Sequence, residues 1–248
     1  MDNTTMGRYW SADALHYGNI VRDELASFRR EAWMERFGEL LPTASRVLDF
    51  GCGPGFFSIV LAALGHTVTG VDISTQMVEQ ARANVSTERL PVKPTFLHSE
   101  KGLATFADGS FDVIVSRNVT WTLSDPVGFY KEALRVLAPG GTLIVYDANW
   151  NLPAFDEELA ARCAEREAQC LARYGSTFDP AEIDAEPIDI KALPLSRVVR
   201  PAWDAETLPT LGFASVLTDE TITETLWDEK EKLIYGETPL FEIVAKKA

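Results

Sequence analysis

The chain has 248 residues, 46% of them hydrophobic, and its 37 acidic against 23 basic side chains leave a formal charge of -14. That length and apolar content are those of one large α/β domain, while the charge opposes approach to a polyanion and argues against DNA or RNA as a partner. No apolar run approaches the ~20 residues needed to cross a bilayer, and three cysteines (Cys52, Cys163, Cys170) form neither a C-x-x-C pair nor an even secretory set, so no metal or disulfide is expected.

The start, Met1-Asp2-Asn3-Thr4-Thr5, has neither the basic opening nor the apolar segment of a signal peptide, and a cytoplasmic location is expected. Over 11–41, Val21, Leu25, Phe28 and Ala32 recur at spacings of three and four, which predicts a helix ended by Pro42. Tyr9, Trp10, His16 and Tyr17 stand near the start of this segment.

An apolar strand at 46–50 then runs into a turn with glycine at alternate positions, Gly51, Gly53 and Gly55, followed by a helix-like run. Glycine allows positive φ and brings main-chain N–H groups close to a ligand at a helix N-terminus. The spacing is G-x-G-x-G, not the G-x-G-x-x-G of a dinucleotide site. Asp49 precedes the first glycine, where it would repel a pyrophosphate but suits an ammonium, and Asp72 ends the next apolar run at 67–72, where a ribose diol is usually held. Ammonium plus ribose points to S-adenosylmethionine. Taken alone, Asp72 also reads as a strand-end residue ahead of a helix capped by Ser74.

Further strands are expected at 95–98, 111–116 and 142–147, alternating with helices, one of them at 126–137. This alternation predicts a mostly parallel sheet wrapped on both faces, with ligands at the carboxyl ends of its strands. Asp49, Asp72, Arg117, Asn118 and Asp147 then share one rim. A helix at 156–174 carries Cys163 and Cys170 on one face as small apolar residues, and an acidic, proline-bearing loop follows at 178–189. A helix at 203–212 and strands at 213–218 and 239–245 complete the chain, with 221–227 a candidate extension of the first of these strands.

Four stretches carry a resemblance: V-L-D-F-G-C-G-P-G at 47–55, V-T-G-V-D-I-S at 68–74, D-G-S-F-D-V-I-V-S-R-N at 108–118 and L-A-P-G-G-T-L-I-V at 137–145. In type and order they resemble the class I S-adenosylmethionine-dependent methyltransferases, in particular the small-molecule, type 11-like members. The resemblance implies a Rossmann-like, seven-stranded, doubly wound sheet, mostly parallel with an antiparallel C-terminal strand. It divides a single domain into an N-terminal helical cover (1–42), a cofactor-binding core (43–148), an inserted lid at the acceptor site (149–200) and the C-terminal part of the sheet (201–248).

The implied cofactor-binding residues are Tyr17, Asp49, Gly51, Cys52, Gly53, Gly55, Asp72, Ile73, Met77, Glu100, Lys101, Arg117 and Asn118. Glu100 stands where the family usually has an aspartate for the adenine amino group. Trp121, after the fourth strand, and Trp150, at the head of the insertion, are the acceptor-site candidates. The implied reaction is in-line methyl transfer to a small N, O or S nucleophile, leaving S-adenosylhomocysteine. It needs alignment, dryness and at most one proton acceptor, for which His16 and Asp147 are the candidates. The acidic loop suggests a neutral or cationic acceptor. A homodimer stays open, as do a binder of the cofactor without methyl transfer and, against the glycine spacing, an NAD-type oxidoreductase.

Overall fold

A computed structural model describes residues 3–41, 43–177 and 185–248. Its strands are β1 (Arg46–Phe50), β2 (Thr67–Asp72), β3 (Thr95–His98), β4 (Phe111–Arg117), β5 (Leu137–Asp147), β6 (Phe213–Asp219) and β7 (Phe241–Lys247). They form one seven-stranded sheet in the order β3-β2-β1-β4-β5-β7-β6. β1 to β5 run parallel, and β7 is antiparallel to both β5 and β6. This is the expected doubly wound sheet with its antiparallel C-terminal strand. Val47, Leu48, Ile114, Val115 and Leu143 are fully buried, because central parallel strands are covered on both faces and must be apolar throughout.

The helices are α1 (Asn3–Leu25), α2 (Arg29–Leu40), α3 (Phe56–Ala63), α4 (Thr75–Ser86), α5 (Pro126–Val136), α6 (Glu157–Tyr174), α7 (Ala202–Leu211), α8 (Thr223–Leu226) and α9 (Glu229–Tyr235). Local chemistry fixes several of their starts. Ser74 accepts the Met77 amide to cap α4, Asp125 accepts the Gly128 amide ahead of Pro126 in α5, and Asp156 accepts the Leu159 amide at α6. Apolar faces then set the packing: α2 lays Trp33 and Phe37 against Phe57 of α3 and Tyr146 of β5, with ring centroids 4.6–6.0 Å apart.

Three expectations are corrected. The helix expected over 11–41 begins at Asn3 and is two helices, since the Ser27 hydroxyl donates to the Glu24 carbonyl and accepts the Arg29 amide, turning the chain. β5 starts at Leu137 rather than 142, because Leu137 pairs with Phe111 across a register shift. Residues 221–227 do not extend β6. They turn into α8, and Asp228 with Glu231 then forms a capping box that starts α9. Of the acidic loop, 178–184 lie outside the described residues, as does Pro42.

Candidate functional site

Directly after β1 the backbone turns. Gly51, Gly53 and Gly55 all have positive φ, at 68°, 49° and 90°. At Gly51 a Cβ would also overlap the Val119 side chain, so both backbone and space require glycine there. The turn hangs from β2: the Gly51 and Cys52 amides donate to the Val71 carbonyl (2.8 and 3.1 Å). The Gly53 amide donates to Asp72 Oδ2 (2.9 Å), while Asp72 Oδ1 accepts the Ser74 amide (2.8 Å). Asp72 thereby ties the glycine turn to the start of α4. Ser74 does cap α4, and Asp72 lines a cavity as well as preceding that cap. Burial pushes the Asp72 carboxyl up, against the pull of the backbone amides.

That cavity, about 430 Å³, opens at the carboxyl ends of β1, β2 and β4, a volume within the usual range for a cofactor-sized ligand. The structure brings Tyr17, Gly51, Gly53, Asp72, Ile73, Met77, Glu100, Lys101, Arg117 and Asn118 together around it, although they span a hundred residues of sequence. One end is apolar, with Ile73, Met77, Leu103 and Phe129. The other is polar, with Tyr17, Arg117 and Asn118, and α1 covers the cavity along its length through Met6, Trp10 and Tyr17.

At the polar end Arg117 leaves β4 and lies over the Phe56 and Phe57 rings (4.7 and 5.0 Å), donating to both carboxylate oxygens of Glu24 (2.9 and 2.8 Å). Burial alone would lower the guanidinium, but Glu24 more than offsets this and keeps it charged. Burial raises the Tyr17 phenol, which stays a neutral hydroxyl facing the Asn118 amide. Asn118 sits at φ 57°, the one non-glycine residue with positive φ among those described, and its buried Oδ1 has no hydrogen-bond partner. A left-handed residue with an orphaned acceptor on a cavity wall suits a ligand that brings a donor. The glycine cradle, the Asp72 carboxylate and this acceptor together fit S-adenosylmethionine, with its ribose hydroxyls and its ammonium.

Other expected site residues lie elsewhere. Asp49 is buried behind the turn, where it accepts the Ser58 hydroxyl of α3 (2.7 Å), and burial lifts its carboxyl to about 6. It supports the turn from below instead of facing the cavity. Cys52 is a buried filler, its thiol pushed well up by burial, and Gly55 packs against Ala81 and Phe96. His16 is off the cavity and bonds to Asp13 one turn earlier (3.0 Å). Asp147 is fully buried. Its Oδ2 accepts the Thr120 hydroxyl, the Trp121 amide and Arg200 Nη1, Oδ1 accepts the Ala148 amide, and the residue does not line the cavity. Trp121 and Trp150 share a narrow crevice beside the cavity, not its wall. Of the two cysteines in α6, Cys170 is buried and Cys163 only partly so.

Glu24 and Arg200 escaped the sequence reading. Glu24 meets Arg117 across 93 positions and Arg200 meets Asp147 across 53, and no motif or periodicity marks either.

Comparison with known proteins shows the same family. A methyltransferase-domain family model matches residues 48–145. The chain is 33% identical over 186 residues to a ubiquinone biosynthesis O-methyltransferase of Xanthomonas axonopodis pv. citri, covering 72% of each chain. It is 36% identical over 215 residues to the 2-methyl-6-phytyl-1,4-hydroquinone methyltransferase of a Synechocystis strain, covering 81% of this chain and 65% of the relative. Among solved structures, a Pyrococcus horikoshii protein shares the fold with a TM-score of 0.56 at 19% identity, covering 89% of this chain and 90% of that one. A phosphoethanolamine N-methyltransferase of Haemonchus contortus in complex with S-adenosyl-L-methionine gives 0.55 at 18%, covering 88% and 52%.

Proposed function

The chain belongs to the class I S-adenosylmethionine-dependent methyltransferases, and we propose that the cofactor lies with its ribose at Asp72, its adenine toward Ile73, Met77 and the 100–103 turn, and its methionine end at Arg117, Asn118 and Tyr17. The enzyme transfers the methyl group to a small molecule. The observation that carries the cofactor placement is Asp72, a residue that lines the cavity with its carboxylate fixed by two backbone amides.

When bound, S-adenosylmethionine supplies a methyl group on a positively charged sulfur, already activated for displacement. The protein's share is then orientation and dryness. Asp72 would accept hydrogen bonds from the ribose hydroxyls, Asn118 Oδ1 would accept one from the ammonium, and the neutral Tyr17 phenol would donate one. The Arg117–Glu24 pair is overall neutral and so does not repel a cationic cofactor.

We place the acceptor beside the methionine end, where α1 and the turn after β4 meet in an aromatic cluster. Trp10 packs edge-on to Tyr17 and Trp121, with centroids 6.3 and 6.4 Å apart. Trp150, Tyr235 and Trp227 continue it at 5.6 and 5.8 Å. Trp10 and Tyr17, the members of this cluster that line the cavity, offer aromatic faces that suit a planar ring, and on this ground the acceptor is a phenol or hydroquinone hydroxyl. The names of the quinone-pathway and hydroquinone relatives support this reading. Neither His16 nor Asp147 is proposed as the proton acceptor, since neither faces the cavity. Radiolabelled methyl donor offered to matched panels of phenols, amines and thiols tests the acceptor class: labelling of phenols is expected, and labelling confined to amines would overturn it. Calorimetric titration with S-adenosylhomocysteine tests the cofactor site directly.

A further inference from the structure

The turn after β4, residues 118–122, forms part of the cavity through Asn118, Val119 and Thr122. Its conformation is an unusual one: Asn118 is left-handed, and its side-chain oxygen is held where it has no partner. Something must hold it there, because a left-handed asparagine relaxes when its surroundings allow.

The restraints can be traced one by one. The Asn118 amide donates to the Tyr146 carbonyl of β5 (2.8 Å), and its carbonyl accepts the Trp121 indole N–H (3.0 Å). The Thr122 hydroxyl closes the turn on the Val119 carbonyl (2.7 Å). Two further polar groups of the turn, the Thr120 hydroxyl and the Trp121 amide, both go to a single atom, Asp147 Oδ2. That oxygen also receives Arg200 Nη1 (3.0 Å).

Arg200 is itself buried and fixed on every side. Nε and Nη2 donate to the two oxygens of Asp204 in α7 (2.8 and 3.0 Å), and Nη2 also reaches the Tyr130 hydroxyl of α5 (3.2 Å). Its backbone is clasped to Asn149, the Asn149 side chain donating to the Arg200 carbonyl (2.8 Å) and accepting the Arg200 amide (3.0 Å). Asn149 and Arg200 are the two ends of the 149–200 insertion. One carboxylate therefore joins the ends of the insertion to the turn that bears Asn118. Val119 of the same turn packs where a Cβ on Gly51 would lie, so the turn cannot shift without pressing on the glycine loop.

We propose that Asp147, Thr120 and Arg200 form a buried brace whose role is to position Asn118 for the cofactor, Asp147 being a positioning residue and not a proton acceptor. The inference rests on the cofactor placement above. It makes a specific claim: Thr120 affects cofactor affinity only through the geometry of Asn118, since its own hydroxyl points away from the cavity to Asp147.

A double-mutant cycle on S-adenosylhomocysteine affinity decides it, using Thr120→Val, which keeps shape and loses the hydroxyl, and Asn118→Gly, which keeps the left-handed backbone and loses the side-chain oxygen. T120V alone should weaken binding roughly fivefold or more, T120S should restore it, and T120V added to N118G should weaken binding no further. A purely structural hydroxyl would lower the melting temperature equally in both backgrounds and leave the affinities additive. Additive effects, or T120V binding within about twofold of the native protein, overturn the brace while leaving the cofactor site intact. Native protein that does not bind S-adenosylhomocysteine overturns the cofactor placement and the brace with it. If T120V does not fold, Asp147→Asn, which keeps the shape and weakens the acceptor shared by Thr120 and Arg200, takes its place in the same cycle with the same criteria.

Discussion

Asp49 and Asp72 look equivalent in sequence, each an acidic residue at the end of an apolar strand. The structure separates them. Asp72 meets the cavity, whereas Asp49 is sealed beneath the glycine turn with Ser58. Asp72→Ala should therefore weaken S-adenosylhomocysteine binding by about 10- to 100-fold, the equivalent of losing ~1.5–3 kcal/mol of charge-assisted hydrogen bonding, and Asp49→Asn should cost less. The reverse order in calorimetry would move the ligand-facing carboxylate to Asp49. Asp49 also has a pH signature. Burial raises its carboxyl to about 6, above its unfolded value, so the fold favours the protonated form. That contribution is complete below the unfolded value near 4 and is lost as pH rises through about 6. Asn cannot titrate, so the melting temperature of D49N should gain on the native protein between about pH 4.5 and pH 7.5. A difference that stays constant over that range would mean that Asp49 ionises normally in the fold.

At the scale of elements, α1 is a cover whose far end carries a mostly buried ion pair. Glu24, in its last turn, holds Arg117 of β4, and both are mostly buried. Glu24→Gln should lower the melting temperature by about 2–8 °C, corresponding to ~1–2 kcal/mol, and should speed hydrogen exchange in the last turns of α1 more than in β4. S-adenosylhomocysteine should slow exchange around Tyr9 to Tyr17, since Trp10 and Tyr17 border the cavity. Unchanged exchange there would make α1 a fixed wall. Much at this scale was legible in the sequence. The bounds of β1, β2 and β3 follow from short apolar runs between glycine and polar residues, and the starts of α4 and α6 from Ser74 and Asp156. What was not legible depended either on a local side-chain bond or on contacts between distant elements. The break at Ser27 uses a local side-chain bond inside an otherwise continuous helical pattern. Residues 221–227 have β-type composition but are drawn into α8, whose Leu226, with the preceding Ile222, packs into the core shared with Trp33 and Phe37. Asp147 sits on the expected rim, yet its role is set by Arg200, 53 positions away.

For the molecule as a whole the decisive quantity is the charge of -14. Self-repulsion at that charge lowers stability at low ionic strength. Several ion pairs between separate elements act in the opposite sense, among them Arg36 with Glu242, Arg29 with Asp228 and Glu231, and Arg117 with Glu24. The buried partners in these pairs are shielded from salt, whereas the excess carboxylates are mostly at the surface and are screened as the Debye length falls from about 30 Å to about 8 Å between 0.01 and 0.15 M. Salt therefore relieves the repulsion while leaving the pairs largely intact, and the melting temperature should rise over that interval. A fall would show that exposed attractions outweigh the net charge. The same field should keep bulk tRNA from binding at any salt in that range. Tight binding that weakens steeply as salt is added would reveal a local cationic surface strong enough to overcome the net charge.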